Sequence, residues 1–283
     1  MRRAVESGMM TAVENVMGIP VILQASGRSF EPEAIDRAFA WLRSVDEKFS
    51  TYRHDSEISR LNRHELSLED AEASVLSVLM QCERLRGQTR GYFDVTASGR
   101  APGEVDPSGF VKGWALEGAA RILRSAGAES WCVNGGGDIR LAGAPPGADA
   151  WRVGVQHPRR RDALAAVLAL RDGAVATSGE YERGRHIIDP HTGGPPQGVL
   201  SVTIVGWNLA LADAYATAAF AMGRPGAEWA ATLPRHGAIV IFDDDTISYS
   251  ATVEPYLAAS VADTGATESF TAGSVSAGSS AKG

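Results

Sequence analysis

The second half of the chain contains short β-patterned runs that follow one another with almost no helical pattern between them. Turn residues separate these runs, which read "WRVGVQHP", "LAAVLALRDGAVATSG", "LSVTIVGWN" and "GAIVIFDDDTISYS". The one helical pattern in this half is "NLALADAYATAAFAMG", which closes with Gly223 in a C-cap position. Because successive strands lack intervening helices, the sequence predicts an α+β fold with mostly antiparallel sheet and flanking helices.

The first half alternates strand and helix patterns. "MGIPVILQAS" reads as a strand, and three amphipathic helical patterns and the strand run "SWCVNGGGDIRLAG" follow it. From about Ala259 onward nearly all residues are small or polar, and such a segment cannot offset its ordering entropy by burial. We therefore predict an N-terminal extension over residues 1–13, one domain over residues 14–258 and a disordered tail over residues 259–283.

Charge and composition exclude several classes of protein. The formal net charge of −7 over 283 residues does not favour general binding to nucleic acid or to anionic membranes. Cys82 and Cys132 lie far apart without the spacing of a metal site, so we expect reduced, packed thiols. No run approaches a signal sequence or a membrane span, so no membrane insertion and a cytoplasmic location are expected.

The helical segment "LADAYATAAFAMG" carries one carboxylate, Asp213, and one hydroxyl, Thr217, among alanine and apolar residues. In a helix these two side chains lie one turn apart on the same face, so both can touch one object. A hard cation such as Mg²⁺, which takes few protein oxygens together with substrate phosphates, fits that description. The alternative is an Asp near the helix start with a Thr bonded back to a carbonyl.

Three further segments have residues suited to chemistry. His186 stands before two apolar residues and a turn, where it is either a general base or a structural hydrogen-bonding residue. "VDPSGFVKGWALEG" leads into a helix whose first amides, with Lys112, favour phosphate. "VNGGGDIRLAG" either lets a ligand approach the backbone closely or is a plain glycine-rich turn. Neither GxGxxG nor GxxxxGK[ST] occurs, so Rossmann and P-loop sites lack their fingerprints.

Taken together and in order, these segments resemble the ApbE family of flavin transferases. The resemblance runs from about residue 14 to about residue 245 and is carried by "MGIPV", "FSTYRHDSEISRLN", "GYFDVTA", "DPSGFVKG", "VNGGGDI", "ATSGEYERGRHIIDPHTG" and "ADAYATAAFAMG". The combination is far more specific than any one segment. It implies an ApbE-like, T-fold-like architecture and an FAD:protein FMN transferase, which joins FMN from FAD to a Thr or Ser hydroxyl of an acceptor protein and releases AMP.

The resemblance also implies a role for individual residues. Mg²⁺ would be held by the Asp213 carboxylate, the Thr217 hydroxyl and the backbone carbonyl of Gly109. His186 matches the presumed base of the family. The residues implied to contact FAD are Met17, Tyr52, Phe93, Asp94, Val95, Asp106, Lys112 and Ile187.

Two other functions remain open at this point. A Mg²⁺-dependent FAD pyrophosphatase would share nearly every site residue and use water in place of the acceptor hydroxyl. A non-catalytic protein that binds and stores FAD belongs to a different class, and it would not need a base. The partner expected of a transferase is an acceptor protein with an S/T-G-A-T-like motif. The tail segment "DTGAT" is similar to that motif, so Thr267 is a candidate acceptor within the chain itself.

Overall fold

A computed structural model describes residues 1–97, 101, 103–160, 162–179 and 187–258. His186, Thr267 and the predicted tail over residues 259–283 lie outside the described residues. In chain order the strands and longer helices are β1 (Arg2–Glu6), β2 (Met9–Val16), β3 (Ile19–Ser26), α1 (Ala34–Phe49), α2 (Glu57–Asn62), α3 (Ala73–Gln88), α4 (Ser108–Ser125), β4 (Ser130–Gly135), β5 (Asp138–Ala142), β6 (Trp151–Gln156), β7 (Leu164–Leu170), β8 (Asp172–Gly179), β9 (Val199–Gly206), α5 (Leu209–Ala221), α6 (Gly226–Ala231), β10 (Gly237–Phe242) and β11 (Ile247–Tyr249).

The strands form two antiparallel sheets. Nine of them make one sheet in the order β1-β2-β3-β4-β5-β8-β9-β10-β11, and β6 pairs with β7 in a second sheet. Every neighbouring pair is antiparallel, with Leu23 opposite Val133 and Thr177 opposite Thr203 in the central strands. The predicted α+β fold with mostly antiparallel sheet is confirmed.

The large sheet is covered on both faces, which explains why β4 and β10 are buried along their whole length. One face packs against the helices through residues such as Val133 and Ile204. The opposite face packs against the small sheet, where Trp151 belongs to the same buried apolar cluster as Ile139. Burial on both faces favours continuous apolar runs over strict alternation. The architecture therefore has three layers, with the large sheet in the middle.

Helices α4 and α5 approach each other unusually closely. A Cβ atom added at Gly113 of α4 would lie 2.7 Å from the carbonyl oxygen of Leu209 and 2.8 Å from Cα of Ala210. Helix α5 is buried on nearly all sides, and most of its buried residues are alanines. Small side chains on both helices let the two backbones lie almost in contact. This seam between α4 and α5 carries most of the polar residues described below.

The N-terminal residues contain two strands that the sequence analysis did not predict. Residues 2–16 form a hairpin of β1 and β2 that extends the large sheet, although their sequence gave no strand prediction. The domain limits at residues 14 and 258 stay predictions. Helix α4 begins at Ser108, within the segment "VDPSGFVKGWALEG" that was predicted to lead into a helix. None of the helices within the described residues is both long and apolar enough to cross a membrane.

Candidate functional site

Asp213 lies on the buried seam between α4 and α5. Its side chain is nearly inaccessible, with 3% of its residue surface exposed. One carboxylate oxygen accepts a hydrogen bond from the backbone N–H of Gly113 at 3.1 Å. The other oxygen lies 3.6 Å from the ammonium nitrogen of Lys112. The close approach at Gly113 is what brings this carboxylate against α4, because any side chain there would push the helices apart.

Lys112 connects Asp213 to a second buried carboxylate that the sequence analysis missed. Its ammonium nitrogen lies 2.7 Å from Oδ2 of Asp138, the first residue of β5. Asp138 is fully buried, and its other oxygen accepts the backbone N–H of Thr177 at 3.3 Å. One signal for it is its place at the start of a strand run, because an Asp there must have a partner if it is buried. Asp138 follows directly after the three glycines of "VNGGGDI".

Thr217 lies one turn after Asp213 on α5 and faces the first turn of α4. A Cβ atom added at Gly109 would lie 3.6 Å from Oγ1 of Thr217 and 3.3 Å from the Phe93 ring. The hydroxyl of Thr217 is also 3.4 Å from the Ser178 hydroxyl at the end of β8. The structure thus brings Gly109, Asp213 and Thr217 to one place, and it adds Ser178.

The chemistry of these three groups suits a hard cation. A carboxylate, a hydroxyl and a carbonyl are all oxygen donors, which Mg²⁺ prefers. In a regular helix the N–H of residue 113 donates to the carbonyl of residue 109. The Asp213 carboxylate accepts a hydrogen bond from that same N–H. The N–H is therefore shared, and its helical hydrogen bond to the Gly109 carbonyl is weaker. The described residues contain no group of three or more His, Cys, Asp or Glu suited to a metal, so such a site would rely on substrate oxygens as well.

The segment "GYFDV" and Asp106 are joined to each other beside this seam. The N–H of Asp106 donates to the carbonyl of Val95 at 2.7 Å, and the Asp106 carboxylate accepts the N–H of Ser108 at 3.1 Å. Phe93 is buried in the main core, the apolar cluster between the large sheet and the helices. Burial is the largest influence on the pKa of Asp94 and would raise it, but hydrogen bonds from Thr96 and Arg86 outweigh it, so the pKa is lowered.

The other predicted FAD contacts lie in more exposed places. Met17 forms the turn between β2 and β3 with Gly18, and both residues have positive φ, as a two-residue hairpin turn requires. Tyr52 follows α1 and is 96% exposed. Ile187 is half-buried and packs against the main core.

The loop after Ile187 packs against the chain at Arg90 and Tyr92. The ring of His191 packs edge-on against Tyr92, with 4.4 Å between the ring centroids, and its Nε2 lies 3.1 Å from the Arg90 carbonyl. Asp189 shapes the loop by accepting the N–H of His191 at 2.9 Å. A cavity of about 410 Å³ lies between this loop and the C-terminal end of α5. The cavity is lined by Asp189 and Thr192 of this loop and by Ala221 and Met222 at the end of α5.

Comparison with known proteins gives the same family from sequence and from structure. The model of the ApbE family matches residues 17–101 and 98–241. An FAD:protein FMN transferase of Vibrio cholerae is 31% identical over 254 aligned residues, which cover 70% of this chain and 75% of that protein. The FAD:protein FMN transferase of Haemophilus influenzae is 28% identical over 245 residues, covering 65% of this chain and 71% of that protein.

Solved structures show the same relationship. The flavin transferase ApbE from Vibrio cholerae superposes with a TM-score of 0.78 at 27% identity, covering 88% of this chain and 99% of that one. An ApbE protein from Thermotoga maritima superposes with a TM-score of 0.76 at 25% identity, covering 87% of this chain and 98% of that one. The chain therefore belongs to the ApbE family, the family of these flavin transferases.

Proposed function

We propose that this protein transfers the FMN moiety of FAD to a Thr or Ser hydroxyl of an acceptor protein and releases AMP, with Mg²⁺ as the metal. The observation that carries the proposal is the seam between α4 and α5. There a buried carboxylate, a hydroxyl and the first turn of a helix meet at one place, beside a lysine that is itself paired with a buried carboxylate. Named transferases among the relatives support the choice of FAD as substrate.

Each residue has a part in this proposal. Asp213, Thr217 and the Gly109 carbonyl would hold Mg²⁺, which supplies charge neutralisation at the pyrophosphate and orients it. Lys112 and the N-terminal amides of α4 add positive potential where the phosphates would lie. Phosphoryl transfer needs such positioning more than it needs covalent chemistry by the protein. A metal site with one carboxylate and two uncharged oxygen ligands is suited to such positioning.

In the transfer step the acceptor oxygen attacks the phosphorus of the FMN moiety. A new P–O bond forms to the acceptor, and the bond from that phosphorus to the bridging oxygen breaks, so AMP leaves with that oxygen. The proton of the acceptor hydroxyl would pass to His186, which we propose as the general base. Met17, Tyr52, Phe93, Asp94, Val95, Asp106 and Ile187 would surround the rest of FAD. The cytoplasmic location and the modification of Thr267 stay predictions.

The test is to incubate the full chain with FAD, Mg²⁺ and a folded acceptor protein that carries an S/T-G-A-T motif. We expect mass spectrometry to show FMN covalently joined to the acceptor, with AMP released in equal amount. An acceptor with the motif Thr replaced by Val is the matched control. Free FMN with AMP, and no modified acceptor, would instead identify an FAD pyrophosphatase. FAD that stays intact with Mg²⁺ present would indicate a storage protein.

A further inference from the structure

We propose that Asp138 is a positioning residue for the metal side of the site. It holds the Lys112 ammonium away from Asp213, and it thereby keeps the Asp213 carboxylate able to bind a divalent cation. The inference rests on the proposed function for the location of the metal. It goes further by giving a role to a buried carboxylate of β5.

The distances show an unequal sharing of one ammonium group between two carboxylates. Lys112 lies 2.7 Å from Asp138 but 3.6 Å from Asp213, so its closer partner is the carboxylate outside the proposed ligand set. The Lys112 side chain is 16% exposed, and both carboxylates are buried. A lysine fully paired with Asp213 would neutralise the charge that a cation needs. The shorter distance to Asp138 weakens that competition.

Asp138 is held by the sheet itself. It begins β5, lies opposite Gly135 of β4, and accepts the N–H of Thr177 from the neighbouring strand β8. Its side chain is fully buried, and a buried carboxylate is strongly destabilising unless a cation pairs with it. The attraction between Asp138 and Lys112 is therefore present in the folded protein before any ligand binds.

Loss of the Asp138 charge should release Lys112 toward Asp213. At 3.6 Å the ammonium already opposes a cation at Asp213, and the attraction between the two groups grows as their distance falls. At an effective dielectric constant of about 20, an approach to ordinary ion-pair distance opposes the cation by roughly tenfold more. We therefore expect Asp138→Asn to weaken divalent cation binding by about tenfold or more. A pair with a purely structural role would alter stability and leave cation binding unchanged.

The experiment titrates Mn²⁺ into the full chain, alone and with ADP as a pyrophosphate-bearing probe, and follows free Mn²⁺ by electron paramagnetic resonance. We expect the dissociation constant of Asp138→Asn to rise about tenfold. The double variant Asp138→Asn/Lys112→Met has the net charge of the wild type and no lysine to move. In the titration without ADP, where no phosphate depends on Lys112, its constant should therefore return to within about threefold of the wild type. Asp172→Asn is the matched control, because Asp172 lies opposite Ala142 at the far end of β5.

Three results would overturn the proposal: an unchanged constant for Asp138→Asn, a double variant as weak as the single one, or no Mn²⁺ binding by the wild type in either condition. If Asp138→Asn does not fold, the double variant carries the test in the titration without ADP, and binding weaker than wild type by more than about threefold overturns the proposal. Release of AMP from FAD by the wild type is measured separately, with Mg²⁺ and the folded acceptor protein present. A wild type that binds Mn²⁺ but releases no AMP refutes the proposed function and leaves the role of Asp138 standing.

Discussion

The inner and outer parts of the proposed site differ in how the chain holds them. The inner part consists of Lys112, Asp138 and Asp213, whose side chains are buried or nearly so and are paired before any ligand binds. The outer part includes Tyr52, which is 96% exposed. Groups that hold or position a cation gain from being fixed in advance, because no reorganisation is then needed during the reaction. An exposed aromatic side chain contributes only once a ligand covers it.

The largest effect is expected at the centre of the inner part. Asp213→Ala should abolish Mg²⁺-dependent release of AMP from FAD, a loss of at least about 10³-fold, because the only proposed carboxylate ligand is removed. Asp213→Asn keeps an acceptor for the Gly113 N–H but lacks the charge, so it should lose as much activity with a better preserved melting temperature. AMP release within tenfold of the wild type in Asp213→Asn would exclude Asp213 as a metal ligand.

A second change tests the close contact between the helices that form the inner part. Gly113→Ala should lower the free energy of unfolding by about 1 to 3 kcal/mol, because its Cβ would meet the backbone at Leu209 and Ala210. Gly87→Ala in α3 is the matched control, since no atom lies within 4 Å of the added Cβ. That control should be neutral or more stable by about 0.5 to 1 kcal/mol, because Ala favours helix over Gly. Equal effects in chemical denaturation would refute the close contact.

A third pair of changes tests whether Thr217 acts through its hydroxyl or through the shape of its side chain. Thr217→Val keeps the volume but removes the oxygen, and we expect AMP release to fall about 12- to 160-fold, the effect of losing one charge-assisted contact of about 1.5 to 3 kcal/mol. Thr217→Ser keeps the hydroxyl and should retain most of the activity. The measurement is the rate of AMP release at several Mg²⁺ concentrations. A Ser variant as impaired as the Val variant would point to packing as the role of Thr217.

The smallest effect is expected in the outer part. Tyr52→Ala should leave the melting temperature unchanged, because the side chain is almost wholly exposed and makes little packing contact. The KM for FAD should rise about 2- to 12-fold, corresponding to loss of one aromatic contact of about 0.5 to 1.5 kcal/mol. Tyr52→Phe keeps the ring and should behave as the wild type. A Tyr52→Ala variant with an unchanged KM would remove Tyr52 from the binding surface.

Much of the fold was predictable because local patterns dominate it. Alternating or continuous apolar runs marked β4 to β11, and helical spacing marked α1, α3 and α4 to within a few residues. The N-terminal hairpin was missed because β1 is exposed along its whole length and so carries no burial pattern. β1 belongs to the sheet only because it pairs with β2. Such pairing is a contact between two segments, and it leaves no periodic pattern in the sequence of either strand.

The site was predictable in part. Asp213 and Thr217 were identified by helical spacing, since residues four apart share a face of a helix. Asp138 and Ser178 were not, because β5 and β8 reach the seam only through strand pairing far from α5 in the sequence. The glycine-rich segment proved to contain the turn between β4 and β5, where Gly136 and Gly137 both have positive φ. The same segment contributes Asp138 to the site by way of that turn.

The sequence by itself determined the antiparallel architecture, the pair of polar residues on α5 and the family, since each depends on residues close together in the chain or on an ordered set of motifs. Tertiary structure alone decided which carboxylate takes Lys112. Asp138 and Asp213 are 75 positions apart in the sequence, and the Lys112 ammonium lies between them. It is 2.7 Å from Asp138 and 3.6 Å from Asp213, so Asp138 is the closer of the two. Such distances follow from how helix packs on sheet, and no local pattern encodes them.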